Sequence, residues 1–182
     1  MRVFAQKGPV NTREVVELAV RRARELGVKH LVVASNSGTT AREFLDQGLN
    51  VVCVTHHVGF REPGSDEMSS EMRAELAERG AKVLTTTHLF GGVERGYANK
   101  LSGYGPAYIT AATLRMFGQG TKVAVEIAVM ALDSGMIPYG EDIISVGGSG
   151  GGADTAVVIR PAHANKFTDT VISEIICKPG VV

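Results

Sequence analysis

The sequence predicts an α/β fold, in which a mostly parallel sheet carries helices on both faces. Two short runs rich in β-branched residues, at 30–34 and 50–55, are typical of strands buried on both faces. Helical patterns alternate with such runs along the chain, and parallel strands joined in this way almost always have a right-handed crossover. These observations indicate a single α/β domain over residues 1–182.

The first predicted helix covers residues 11–26. Apolar residues recur there at helical spacing, Asn11 can cap the start with Glu14 three residues on, and Gly27 follows the end. The other elements expected in this half are a strand at 30–34, a polar turn at 35–39, a helix at about 40–47, a strand at 50–55, a loop at 56–65, an exposed helix at 66–79 and a short strand at 82–85.

The second half begins with residues 86–106, which show no sustained periodicity. A loop of that length in a compact domain usually serves as a lid or binding segment. Helices are expected at 107–117 and 121–133, the second apolar nearly all round and therefore largely buried. Strands at 142–146 and 155–159 are too close in sequence for a crossover helix, so we predict antiparallel neighbours. Residues 170–177 are expected to form an edge strand or a short closing helix.

The composition excludes several classes of protein. Lys plus Arg equals Asp plus Glu at 19 each, and the opposite charges are mixed along the chain, so we expect neither nucleic acid nor a membrane as a partner. No segment reaches the roughly 18 apolar residues of a membrane span, and no signal peptide is recognised, which predicts a cytoplasmic protein. Cys53 and Cys177 have no metal-ligand spacing and are expected to be reduced core thiols.

A polar loop follows the strand at 30–34, where a helix begins. Free N–H groups and the helix dipole favour an anion at such a place, and Gly38 would let a phosphate approach the backbone. The candidate residues are Ser35, Asn36, Ser37, Gly38, Thr39 and Thr40. The loop lacks the Gly-Lys-Ser/Thr of a Walker A motif and the GxGxxG of a dinucleotide site. The same pattern also fits an ordinary capped helix start.

A glycine run at 147–152 is the second candidate. Five glycines in six residues cost conformational entropy, which predicts either a tight hairpin or a cradle for a ligand. Ligands of open α/β sheets bind beyond the carboxyl ends of the parallel strands, and both candidate loops lie at such ends. We therefore expect Gly147, Gly148, Ser149 and Gly150 to contribute a wall of the same pocket.

Three histidines follow predicted strands at that edge of the sheet. His56 and His57 come directly after Thr55, and His88 follows the strand at 82–85. Imidazoles there can contact a ligand, transfer protons or bind a metal. No Asp or Glu partner stands at ligand spacing, so we expect ligand contact or a structural role and no metal.

A family resemblance rests on four segments between residues 22 and 55. The runs 22–27 (RARELG), 31–35 (LVVAS), 37–41 (SGTTA) and 51–55 (VVCVT) resemble, in order and spacing, the C-terminal domain of pyruvate kinase. The resemblance implies a three-layer α/β/α sandwich with a five-stranded mixed sheet and an antiparallel last strand. It also implies that Ser35, Ser37, Gly38, Thr39 and Thr40 match the phosphate cradle of the family's sugar-bisphosphate effector site, with 147–155 as its second wall.

The same resemblance shapes the functional expectations. Pyruvate kinase catalyses its reaction on a separate barrel, for which 182 residues leave no room, so no pyruvate kinase activity is expected. The chain is similar to stand-alone pyruvate kinase alpha/beta domain-like proteins, for which flavin mononucleotide (FMN) is a plausible ligand. We predict binding of a phosphorylated small molecule, either FMN or a sugar phosphate. The alternatives are a small enzyme that uses His56, His57 or His88 for proton transfer, and a regulatory or assembly module that forms a homo-oligomer.

Overall fold

The structure is a computed structural model that describes residues 1–180. Its strands are β1 (Arg2–Phe4), β2 (His30–Ala34), β3 (Asn50–Val54), β4 (Lys82–Leu84), β5 (Ile143–Gly147), β6 (Thr155–Arg160) and β7 (Val171–Pro179). Its helices are α1 (Thr12–Leu26), α2 (Thr39–Arg42), α3 (Ser70–Glu78), α4 (Gly92–Leu101), α5 (Pro106–Arg115) and α6 (Gln119–Asp133), with 3-10 turns at Pro9–Asn11 and Ala164–Asp169.

The strands of residues 1–180 form one mixed sheet in the order β1-β7-β6-β5-β2-β3-β4. The α/β class is confirmed, but the sheet has seven strands instead of the five expected. The predicted antiparallel pairing of β5 with β6 is present, with Ile143 opposite Ile159. However, the antiparallel strand is β6, and the last strand β7 runs parallel to β1. β7 is therefore an interior strand, and neither of the two predicted alternatives for 170–177 is correct.

Helices pack on both faces of the sheet, as the alternation of buried side chains requires. Leu31 and Val33 of β2 join a core with the buried face of α1, whereas Val32 joins a second core under α6. The prediction that the helix at 121–133 is largely buried is confirmed, because twelve of its residues are buried. This helix lies against β5, β6 and β2 and reaches the carboxyl edge of the sheet at its first turn.

Helix α1 ends as expected and begins differently. Gly27 has a left-handed φ of 67°, and its N–H donates to the carbonyls of Ala23 and Arg24. The Asn11 side chain does not cap the helix; its amide instead donates to the Gln6 and Gly8 carbonyls. Glu14 pairs with Arg2 of β1 at 2.8 Å. These contacts of Asn11 and Glu14 therefore attach the start of α1 to residues 2–8.

Two other predictions are wrong in detail. The helix expected at 40–47 is only the four-residue α2, because the chain turns through the left-handed residues Asp46 and Gly48. The loop expected at 86–106 contains α4, which has no buried residue and therefore lacks the apolar stripe by which a helix is recognised.

No helix within residues 1–180 is both long and apolar enough to cross a bilayer.

Candidate functional site

A cavity of about 680 Å³ opens at the carboxyl edge of β2 and β3. Its floor is formed by the ends of these strands, at Ala34, Val54 and Thr55. The first turns of α6 form one wall, and the segment that follows β5 forms another. Ligands in open α/β sheets bind beyond the carboxyl ends of the strands, which is where this cavity lies.

The loop after β2 is held in place by Ser35. Its N–H donates to the Val54 carbonyl at 2.9 Å, and its hydroxyl accepts from the Thr40 N–H at 3.1 Å. Ser35, Asn36, Ser37 and Thr40 line the cavity. Within residues 1–180, the N–H groups of Asn36 and Ser37 donate to no protein acceptor, so they are available to a ligand.

Gly38 lies on the other side of this loop. It has a φ of +87°, and a Cβ there would overlap Cγ of Met72 on α3. Neither Gly38 nor Thr39 lines the cavity, although the hydroxyl of Thr39 lies 3.0 Å from that of Ser37. The glycine is thus required by the left-handed turn and by the close packing of α3, and its predicted contact with a phosphate stays a prediction.

The glycine run is organised by Asp154, a residue that sequence analysis did not single out. This fully buried carboxylate accepts hydrogen bonds from the N–H of Gly8 at 2.9 Å, the N–H of Ser149 at 3.1 Å and the hydroxyl of Thr155 at 2.8 Å. Gly148, Gly150, Gly151 and Gly152 line the cavity, whereas Gly147 and Ser149 do not. The wall they form carries no cation.

His56 is held by a carboxylate. Its Nδ1 lies 2.5 Å from Oε2 of Glu67, whose Oε1 pairs with Arg61 at 2.9 Å. The Phe60 ring stacks on the imidazole at a centroid distance of 3.7 Å. The expectation that no acidic partner stands near the histidines was therefore wrong, because the loop after β3 folds back and brings Glu67 to His56.

The other two histidines lie close to each other, with ring centroids 5.6 Å apart, and His88 lines both this cavity and a neighbouring one. His88 lines the cavity, its Nε2 lies 3.4 Å from the Thr55 carbonyl, and burial lowers its pKa below the ordinary 6.5. His57 lies instead in a neighbouring cavity of about 470 Å³, with Nδ1 2.8 Å from the Val58 carbonyl. The Thr55 hydroxyl is engaged by Thr85 at 2.7 Å.

Three cations at the cavity come from helices; one lies in the segment 86–106, which we expected to serve as a lid or binding segment, and the other two were not connected with the site. Arg95 of α4, Arg115 of α5 and Lys122 of α6 all line it. Lys122 is buried and forms an ion pair with Glu126, and burial lowers its pKa. The signal for this pair was present in the sequence, since both residues interrupt an otherwise apolar helix.

The carboxylates at the cavity are already occupied. Glu67 contacts His56 and Arg61, and Glu126 contacts Lys122 and accepts from the Phe90 N–H at 2.9 Å. Residues 1–180 contain no cluster of three or more His, Cys, Asp or Glu side chains that could hold a metal ion. The site therefore offers positive charge, N–H donors and aromatic rings.

Comparisons with known proteins identify the kind of domain. The model of the family described as "Pyruvate kinase, alpha/beta domain" matches residues 13–159. Among solved structures, the chain is similar to a pyruvate kinase from Cryptosporidium parvum, with 15% identity, a TM-score of 0.44, and coverage of 85% of this chain and 23% of that chain. The C. parvum enzyme in complex with ADP gives the same identity and TM-score over 24% of its length. The chain thus spans about a quarter of the solved proteins it matches.

Proposed function

This chain belongs to the family of pyruvate kinase alpha/beta domains, and on that premise we propose that it binds a phosphorylated small molecule in the cavity at the carboxyl edge of the sheet. The ligand we propose is FMN or a sugar phosphate.

The observation that carries this proposal is the pair of arginines without carboxylate partners at the cavity. Within residues 1–180, neither Arg95 nor Arg115 forms an ion pair. Many arginines elsewhere on the surface do, among them Arg2, Arg22, Arg42, Arg73, Arg79 and Arg160. Guanidinium groups suit phosphate because they present several N–H donors in a planar array.

The charges also support an expectation about the end of the cavity at which a phosphate would bind. α2 has four residues, too few for an appreciable helix dipole, so the loop after β2 contributes mainly its free N–H groups and hydroxyls. The glycine wall is held by the Asp154 carboxylate and carries no cation. We therefore expect the phosphate between Ser37 and the side chains of Arg95 and Arg115.

The part of the ligand that is not phosphate distinguishes FMN from a sugar phosphate. Phe60 and His56 present stacked rings beside the cavity, and His88 lies 5.4 Å from His56 between ring centroids. Flat rings favour a flavin through stacking. A sugar phosphate would instead use the hydroxyls and N–H groups of the loop after β2.

Titration calorimetry tests the proposal with FMN, a sugar bisphosphate and inorganic phosphate as probes. Arg115→Gln should weaken binding of the preferred phosphate compound at least tenfold, about 1.4 kcal/mol. Arg13→Gln is the matched control, because Arg13 is an exposed arginine on α1 outside the cavity. If no phosphate compound binds, or if both variants bind as the wild type does, the proposal is wrong.

Catalysis is the second candidate function, and one observation favours it. A carboxylate that contacts one nitrogen of an imidazole fixes the ring and its tautomer, which is how catalytic histidines are commonly oriented. Of the three histidines at this edge of the sheet, only His56 has such a contact within residues 1–180.

A further inference from the structure

One ring nitrogen of His56, Nδ1, contacts Glu67, whereas the other, Nε2, has no hydrogen-bond partner within residues 1–180. Glu67 contacts Arg61 through its second oxygen, and its carboxylate accepts a hydrogen bond from the Nδ1 proton of His56. Nε2 then holds a lone pair. It makes no hydrogen bond within residues 1–180 and is not fully buried, and the His56 side chain lines the cavity.

The surroundings of Nε2 suit a phosphoryl group. The Phe60 ring stacks on His56, the Arg95 guanidinium lies 5.7 Å from the Phe60 centroid, and all three side chains line the cavity. Positive groups beside a transferring phosphoryl group stabilise the charge on its oxygens. Histidine itself is one of the side chains that form covalent intermediates.

From this geometry we propose that His56 Nε2 accepts a phosphoryl group from an acyl phosphate bound in the cavity. The inference rests on the proposed function, because it requires the cavity to bind phosphate compounds. It goes beyond it by assigning a covalent reaction and its nucleophile.

The step balances without a further reactant. The Nε2 lone pair forms a bond to phosphorus, the bond between phosphorus and the acyl oxygen breaks, and its electron pair leaves with the carboxylate. The proton on Nδ1 stays between the ring and Glu67. The phosphorylated ring carries a positive charge, which the Glu67 carboxylate stabilises.

The other histidines of the two cavities do not offer this arrangement. His88 turns Nε2 toward the Thr55 carbonyl, and His57 turns Nδ1 toward the Val58 carbonyl, so neither imidazole rests on a carboxylate. His163 provides a matched comparison, because its Nδ1 lies 2.7 Å from Asp133 but it lies outside the cavity. Glu67 is accordingly a positioning residue, and His56 is the reacting group.

The test is incubation of the full chain with acetyl phosphate, followed by intact-protein mass spectrometry and phosphorus NMR. We expect one acid-labile, alkali-stable phosphoryl group, located on His56 by fragmentation. His56→Gln should abolish it and His163→Gln should leave it unchanged. Glu67→Gln should slow its formation at least about tenfold, because the charge on the phosphorylated ring loses its carboxylate partner, whereas Glu67→Asp, which keeps the carboxylate, should slow it less.

Each other result has a definite meaning. Absence of a phosphoryl group from a protein that binds inorganic phosphate would overturn this inference and leave the proposed function standing. Absence of both phosphorylation and phosphate binding would overturn both. Labelling that persists in His56→Gln, or that reaches His163 at the same rate, would show uncatalysed modification and also reject the inference. An unchanged rate in Glu67→Gln would remove the positioning role.

Discussion

Replacing Lys122 by methionine should lower the free energy of unfolding by about 3–5 kcal/mol, because it leaves a buried carboxylate without its cation. The Lys122 and Glu126 side chains are only 10% and 4% exposed, and they stand one helical turn apart on α6. Glu126 would keep a single donor, the Phe90 N–H at 2.9 Å. One hydrogen bond from a backbone N–H offsets only a fraction of the desolvation of a buried charge.

Chemical denaturation followed by circular dichroism measures this loss. The control is Arg13→Met, because Arg13 and Glu17 have the same i,i+4 spacing on α1 with side chains 94% and 62% exposed, so its removal should cost less than about 1 kcal/mol. The double variant Lys122→Met with Glu126→Gln keeps an acceptor for Phe90 and should recover more than half of the loss. A single variant as stable as the control, or a double variant no better than the single, would refute the reasoning.

Three further outcomes are expected. Gly38→Ala should lower the free energy of unfolding, measured by denaturation, by roughly 1–3 kcal/mol, because Gly38 has a left-handed φ and a Cβ there would overlap α3. Gly96→Ala in α4 is the control, because a Cβ there meets nothing within 4 Å and should not lower stability. Burial lowers the pKa of His88, so below pH 6.5 the unfolded chain binds a proton that the folded chain does not. The free energy of unfolding should therefore decrease as the pH falls below 6.5. Denaturation at several pH values should show a smaller decrease per pH unit in His88→Gln than in the wild type. Burial raises the pKa of Cys53 and Cys177 to about 12, so a thiol reagent should label them only in denaturant, and labelling of the folded protein would contradict this.

The central strands could be predicted because they are buried on both faces. Continuous apolar runs such as Leu31–Val33 carry that signal in the local sequence, and the structure confirms their parallel pairing. The outer strands could not be placed in the same way. β1 has three residues, and β7 takes its position from pairing with β6 and β1, which are distant in sequence. The five-strand expectation came from the family resemblance, and β1 and β7 lie outside residues 13–159, which match the family.

The candidate site was predictable where it depends on strands. Residues that follow β2, β3 and β4 had to meet at one edge, and Ser35, Ser37, His56 and His88 do line the same cavity. Arg95 lies in the segment 86–106 that was expected to serve as a lid or binding segment, whereas Arg115 and Lys122 were missed, since nothing local shows that α5 and α6 bring them over that edge. Whether these residues bind a ligand stays a prediction.

The hydrogen bonds of Asp154 have a consequence for the dynamics of the glycine wall. A run with so many glycines would ordinarily exchange its amide hydrogens almost as fast as an unfolded peptide. Here one carboxylate joins Ser149 to Gly8, which is 146 residues from Asp154 in the chain, and the Ala153 N–H donates to the Thr12 hydroxyl. Exchange at Ser149 and Gly8 should therefore be slow, because both N–H groups donate to one fully buried carboxylate.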